Sequence, residues 1–323
     1  MAVLTATALD VTARTRALLA SVPKVYWALL ALIFLLGIVS PRSVEPRHLL
    51  DLARQGSALG LVALGQTVVI LTGGLDLSVG SIVILADVVA AQLIAGRDER
   101  VIPVILLVLL LGSGVGLLNG LLVTRFRITP FIATLGIGLI VTGAALVYSR
   151  GAPGGSIPAS MRFWGNGFIA GSVPAAAAVW LGASLLVAAL IKRTVLGRRL
   201  VAVGANPKAA HVAGVRVDRT LTGAYVISGF MAAAGGLLLV AFIGIGTLEV
   251  GTDFLLGSIA ATIIGGTVFT GGRGTIWGTV GGVLFLMGLY SILTVLNLPI
   301  SGRRVVEGSI IVVALALYAR SRE

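Results

Sequence analysis

Long stretches without a charged residue, separated by short polar segments, dominate the chain. They run 25–41, 55–75, 101–124, 128–149, 163–191, 220–248, 254–272, 274–302 and 308–319, and a further one, 77–96, carries only Asp87. A helix needs about 20 apolar residues to cross the hydrocarbon core of a bilayer, where every backbone polar group must find its partner internally. The pattern therefore predicts an all-α fold, a polytopic transmembrane helical bundle of about ten spans. The last stretch is short, and its helix is expected to begin near Val305 with Glu307 at the interface. Gly and Pro interrupt several stretches, so some helices are expected to be discontinuous. Residues 1–24 carry Arg14, Arg16 and Lys24, and no small-residue cleavage site ends the apolar run that follows. They read as a cytoplasmic segment before a retained first span. Residues 25–319 then form the membrane domain and 320–323 a cytoplasmic tail.

Composition supports a bilayer location. Only 11% of the 323 residues are charged and 57% are hydrophobic, with a mean hydropathy of +1.08. A soluble domain carries about 25% charged residues, so most of this surface must face lipid. The 44 glycines suit helices that approach closely in a membrane. Gly112, Gly116 and Gly120, and likewise Gly274, Gly278 and Gly282, form successive GxxxG steps expected to be packing seams. Cysteine is absent and His48 and His211 are the only histidines, so no metal site and no cofactor is expected.

The net charge of +12 does not indicate nucleic acid, because the basic residues lie between apolar stretches rather than on one face. Counting loops in turn puts more Lys and Arg inside than outside and places both termini in the cytoplasm. Arg303 and Arg304 fit that assignment poorly. No G-x-x-x-x-G-K-[ST] string and no hydrolytic constellation occurs, so the chain reads as a transport component rather than an enzyme. Energy from ATP would have to come from a separate subunit.

Two polar segments are long. The outer one, 150–166, is rich in Gly, Pro and Ser; the inner one, 192–219, is the most basic, with seven Lys/Arg and one Asp. Within it, Asn206 suits an N-cap, Pro207 the first helical position, and Gly214 the left-handed residue that ends a helix. So short a helix is marginal alone. Its small face, Ala205, Ala209, Ala210 and Ala213, can pack on the membrane domain, at the lipid surface, or into a soluble partner; the residues leave these open.

Residues 76–82, D-L-S-V-G-S-I, are echoed by 253–259, D-F-L-L-G-S-I, and both open apolar spans. Entered from opposite sides, they predict an inverted repeat with the path between its halves; chance is the alternative. The predicted path or gate residues are Gly73, Gly74, Asp76, Ser78, Gly80, Ser81, Asp87, Asn119, Thr134, Asp253 and Ser258. Asp76, flanked by Gly73 and Gly74, is either a helix cap or part of the gate. Asp87 costs about 2.5–3.5 kcal/mol near mid-span and must meet a cavity or a partner. It either hydrogen-bonds a solute or braces a helix. A regular helix would put Asp76 and Asp87 on one face. Asn119, Thr134, Ser258 and Thr262 can form a polar track or bond between helices. Glu249 and Asp253, in an outer loop, face solvent or an external protein.

Several strings carry a family resemblance. G-G-L-D-L-S-V-G-S at 73–81 resembles the hallmark of ribose-type permeases of bacterial ABC importers. It is followed in order by N-G at 119–120, T-P-F-I-A-T-L-G at 129–136, G-A-N-P-K-A-A-H-V-A-G-V at 204–215 and G-G-R-G-T-I-W-G-T at 271–279. The likeness spans about residues 45–319. It implies an inner-membrane homodimer working with a cytosolic ABC ATPase subunit and an extracytoplasmic solute-binding protein. It also implies that Gly204, Ala205, Asn206, Pro207, Ala209, Ala210 and Gly214 form the ATPase-coupling element. The motifs resemble the sugar branch most; related permeases carry nucleosides, branched-chain amino acids or autoinducer sugars. Asp87 departs from the family, which has small or apolar residues there. Outside the resemblance stand an ion-coupled carrier using Asp87 and a membrane scaffold or lipid-processing enzyme. The binding protein, not the permease, is expected to set most of the substrate selectivity.

Overall fold

Twelve α-helices make up almost all of the regular structure in the computed structural model, which describes residues 23–299 and, beyond them, 301, 302, 305, 306, 308 and 309. In chain order they are α1 (Lys24–Val39), α2 (Pro46–Leu71), α3 (Val79–Ile94), α4 (Val101–Thr124), α5 (Pro130–Ser149) and α6 (Ala159–Asn166). They continue with α7 (Ala175–Arg193), α8 (Val195–Ala205), α9 (Pro207–Val212), α10 (Val217–Ile243), α11 (Gly251–Ile264) and α12 (Ile276–Val295). One small antiparallel hairpin, β1 (Phe168–Ile169) with β2 (Val173–Pro174), joins α6 to α7. The N-terminal segment through residue 22, Arg303, Arg304, Glu307, nearly all of the expected span 308–319 and the tail 320–323 lie outside the described residues.

Six helices are long and apolar enough to cross a membrane: α2, α4, α5, α7, α10 and α12. Three shorter apolar helices, α1, α3 and α11, account for the remaining predicted stretches among the described residues. The chain is thus a multi-pass helical membrane protein. Its exposed surface is what lipid requires: Leu110 on α4 and Leu139 and Ile140 on α5 are each at least 67% exposed. The centre is α2, buried at every position from Gly56 to Leu71.

Charge-free stretches and helices do not coincide. In the stretch 163–191 the spanning helix starts only at Ala175; the residues before it form the end of α6 and the hairpin, which turns through positive-φ residues Ala170 and Gly171. In the stretch 254–272 the helix stops at Ile264, and positive-φ glycines carry the loop that follows. Conversely, α2 begins at Pro46 and takes in Arg47, Asp51 and Arg54. These charges sit at one end of the bundle, where Arg54 donates to Asp51 Oδ1 (3.1 Å) and to Asn166 Oδ1 (2.9 Å) and lies 5.2 Å over the Phe242 ring.

The first GxxxG series is a packing seam, as expected. A side chain at Gly116 would overlap Tyr225 O on α10, and a Cβ at Gly112 would lie 2.5 Å from Gly229 O. Gly116→Val is expected to force α4 and α10 apart and to destabilise the protein by about 3 kcal/mol or more. A lowered melting temperature in detergent would report it. In the second series, Gly278 and Gly282 abut Gly265 and Ala261 at the end of α11, while Gly274 precedes α12.

The architecture repeats. A long helix, a break and a short helix occur as α2–α3 and again as α10–α11. Gly80 faces Leu255, Ile84 faces Gly251, and Asp87 is bonded by Thr247. As one number rises the other falls, so the start of α3 crosses the start of α11 antiparallel. Such an antiparallel crossing is the arrangement an inverted repeat would give. The sequence echo is not in register with it, however: Asp76 precedes α3, whereas Asp253 lies within the first turn of α11.

Candidate translocation site

The break between α2 and α3 is held residue by residue from other helices. Asp76 is fully buried. The Ser78 amide (3.0 Å) and hydroxyl (2.6 Å) donate to its Oδ1, and Ser228 of α10 donates to its Oδ2 (2.8 Å). Asn119 of α4 donates to Ser78 Oγ (2.8 Å), and the Leu77 amide donates to Thr134 Oγ1 of α5 (3.0 Å). Tyr225 of α10 donates to Leu75 O at 3.4 Å, and Thr142 of α5 donates to Ser81 Oγ at 2.9 Å. The Ser78 amide at the start of α3 and the Asp76 carboxyl thus satisfy each other in a buried site. Three helices therefore set the position of one unwound segment. Motion of α4, α5 or α10 would be felt at Asp76.

The second carboxylate belongs to a different device. Asp87 is buried on α3 and its Oδ2 accepts from the Thr247 amide and, at 3.2 Å, from the Thr247 hydroxyl, in the loop between α10 and α11. Its Oδ1 has no partner among the described residues. The expectation of Asp76 and Asp87 on one helical face fails, because α3 starts at Val79 and Asp76 is outside it. Instead Asp76, before α3, is bonded by Ser228 within α10, and Asp87, midway along α3, by Thr247 in the loop after α10.

A cavity of about 260 Å³ lies between α2, α10, α11 and α12, beside α6 and α7. Arg54, Gln55, Asp253 and the aromatic rings of Phe242, Phe254 and Tyr290 line it. Asp253 is thus a wall of this cavity on α11, not an outer-loop residue as expected. Ser258, one turn further on, is fully buried; its hydroxyl donates to Leu255 O (2.9 Å) and its carbonyl accepts from Thr262 (2.8 Å). Thr262 also meets Thr67 (3.3 Å), which bonds Thr279 (2.7 Å), so these hydroxyls bind α2, α11 and α12 together. Ser258 and Thr262 therefore make contacts within and between helices.

At the opposite end of the bundle the short helix forms as the sequence predicts. Asn206 caps α9, accepting from the Ala209 amide at 3.0 Å. Gly214, at φ +80°, ends it with bonds from Gly214 N to His211 O (2.9 Å) and from Val215 N to Ala210 O (3.0 Å). The small face is divided. Ala210 is buried against the protein's own bundle, while Ala205, Ala209 and Ala213 are exposed and Val212 is 88% exposed. The segment also contains a second helix, α8, which the sequence reading lacks. Its last turn brings Gly204 against both loops of the repeat: a side chain there would overlap Leu71 O, and its Cβ would lie 2.5 Å from Gly272 N. Gly272 N itself donates to Leu71 O (2.8 Å). One backbone junction thus joins the end of α8, the loop after α2 and the loop after α11.

Residues 48–315 match the family described as the branched-chain amino acid transport system, permease component. The chain belongs to this permease family. The permease is 36% identical over 297 residues to the ribose import permease protein RbsC of Bacillus subtilis, covering 90% of this chain and 91% of that one. It is 34% identical over 294 residues to the ribose import permease protein RbsC of Escherichia coli, covering 89% and 90% of the two chains. With the galactose/methyl galactoside import permease protein MglC of Escherichia coli it shares 34% identity over 327 residues, covering 92% and 95%. No solved structure matches the permease. It is a transport component, not a catalytic one.

In the permease, the predicted residues Gly73, Gly74, Asp76, Ser78, Gly80, Ser81, Asn119 and Thr134 gather at the α2–α3 break. Asp87, Asp253 and Ser258 lie apart from it. Ser228, Tyr225, Thr142, Thr247, Arg54 and Phe242 complete these contacts and carried no sequence signal of their own. Each is a common residue in an apolar or loop setting, and only the fold shows its partner.

Proposed function

We propose that this permease is the membrane-spanning subunit of an ATP-binding-cassette importer for a small sugar. It forms the path as a homodimer, receives the sugar from an extracytoplasmic solute-binding protein, and is driven by a cytosolic ABC ATPase. The observation that carries this reading is α9. It is a helix capped at both ends, holding one apolar side chain, Val212, in solvent, and attached through Gly204 to both loops of the repeat. An ion-coupled carrier has no use for such an element. A soluble partner that moves α9 would move both loops with it. The basic segment 192–219 supports a cytoplasmic side for α9 and for both termini.

The names of the relatives support a sugar substrate, and so does the cavity beside Arg54. Aromatic faces of Phe242, Phe254 and Tyr290 suit the apolar face of a sugar ring, and Arg54, Gln55 and Asp253 supply polar groups for its hydroxyls. The outward end of the path is then the α6 end of the bundle, where the binding protein docks.

Val212→Asp tests the coupling arm. An apolar contact centred on one exposed anchor loses about 2 kcal/mol or more when that anchor is made polar. Co-purification of the ATPase is expected to fall at least about thirtyfold, with the permease still folded. Undiminished association would defeat the docking role. Uptake driven by an ion gradient in liposomes containing this chain alone would defeat the importer reading altogether.

A further inference from the structure

Two grooves of similar size, about 600 and 630 Å³, open on the outside of the bundle. The first, over α4, α7 and α10, is lined by apolar side chains alone, Leu109, Leu186 and Phe230 among them, and suits any acyl chain. The second differs. It lies where α4 ends, α8 begins and α10 begins, and its walls change character along their length. Leu121, Val226 and Ile227 line the part deeper in the charge-free stretches; Arg125 and Arg219 stand where those stretches stop. Both arginines are exposed, and among the described residues neither guanidinium has a hydrogen-bond or ion-pair partner. Asp218 is the one carboxylate on the rim. The floor is closed by packing of Gly120 against Thr222 and by Thr124 Oγ1 to Thr222 Oγ1 at 3.3 Å.

We propose that this groove between α4, α8 and α10 binds an anionic phospholipid, with an acyl chain along Leu121, Val226 and Ile227 and the phosphate between Arg125 and Arg219. Charge complementarity selects the occupant: two cations with no partner among the described residues, lining the same groove as an apolar wall, fit an anionic headgroup carrying its own tail. The site spans α8 and α10, which flank the docking helix α9 in sequence. Lipid bound there would brace the segment that transmits motion from a soluble partner. The site does not depend on the identity of the transported solute.

The test uses the purified full-length chain in detergent, titrated with phosphatidylglycerol or phosphatidylcholine and read by native mass spectrometry. The wild type is expected to prefer phosphatidylglycerol. Arg125→Gln with Arg219→Gln is expected to weaken phosphatidylglycerol by about fivefold per arginine and to leave phosphatidylcholine unchanged. The corresponding double lysine variant keeps the preference, which separates lost charge from lost fold. Asp218→Asn is expected to tighten phosphatidylglycerol alone. Gly223→Leu fills the groove where a Cβ meets open space, and is expected to weaken both lipids while melting like the wild type. Equal affinity of the wild type for both lipids, an unaltered affinity in the glutamine pair, or displacement of phosphatidylglycerol by inorganic phosphate would each overturn the proposal.

Discussion

Gly204→Ala is expected to abolish substrate uptake in proteoliposomes while the ATPase still co-purifies with the permease. The added methyl would overlap Leu71 O and sit 2.5 Å from Gly272 N. These two atoms belong to the hydrogen bond that joins the loop after α2 to the loop after α11. Neither is the end of a flexible side chain that can swing away, so α8 must back off from the junction or the bond must open. The stability cost is that of local overpacking, about 1–3 kcal/mol. The functional cost is larger, because α9 would remain capped and exposed but no longer bear on the loops. Gly214 offers the contrast. A Cβ there meets nothing within 4 Å, and only the left-handed backbone angle is strained, so Gly214→Ala costs about 1 kcal/mol. It is expected to reduce uptake modestly. Normal uptake in Gly204→Ala would show that motion passes from α9 to the path by another route.

The parts legible in sequence are those written in local chemistry. Asn206, Pro207 and Gly214 each have one physical use at those spacings, and the structure puts α9 where they say. The glycine steps on α4 likewise meet α10 directly. Absence of charge was a weaker guide, since it measures hydrophobicity and not hydrogen bonding. It ran through the hairpin before α7 and through the loop after α11, and it missed the charged first turns of α2. The repeat shows the same limit. Its D-x-x-x-G-S-I strings pointed to the right pair of short helices, but by residues that are not structurally equivalent. What could not be read was partnership across the chain. Asp76 and Ser228, or Asp87 and Thr247, are far apart in sequence, and nothing in either neighbourhood names the other.

Asp76 provides the sharpest separation between a structural and an electrostatic role. Asp76→Ala removes the acceptor for the Ser78 amide, the Ser78 hydroxyl and the Ser228 hydroxyl. The hydroxyls can rotate toward other acceptors, but the amide cannot, and each donor left unpaired in a buried site costs about 1–3 kcal/mol. Uptake is expected to fall below detection, with a lowered melting temperature. Asp76→Asn keeps the shape. Its Oδ1 can still accept both Ser78 donors, and its Nδ2 can donate to Ser228 Oγ, which is free to reverse its role. The asparagine variant is therefore expected to melt near the wild type and to retain most of its uptake. The comparison reads the break directly: if Asp76 serves to fix the α2–α3 segment to α10, asparagine suffices. Should asparagine fold normally yet lose transport as completely as alanine, the negative charge itself would be the working part. Asp76 would then act on the solute or its gate rather than on the position of α3.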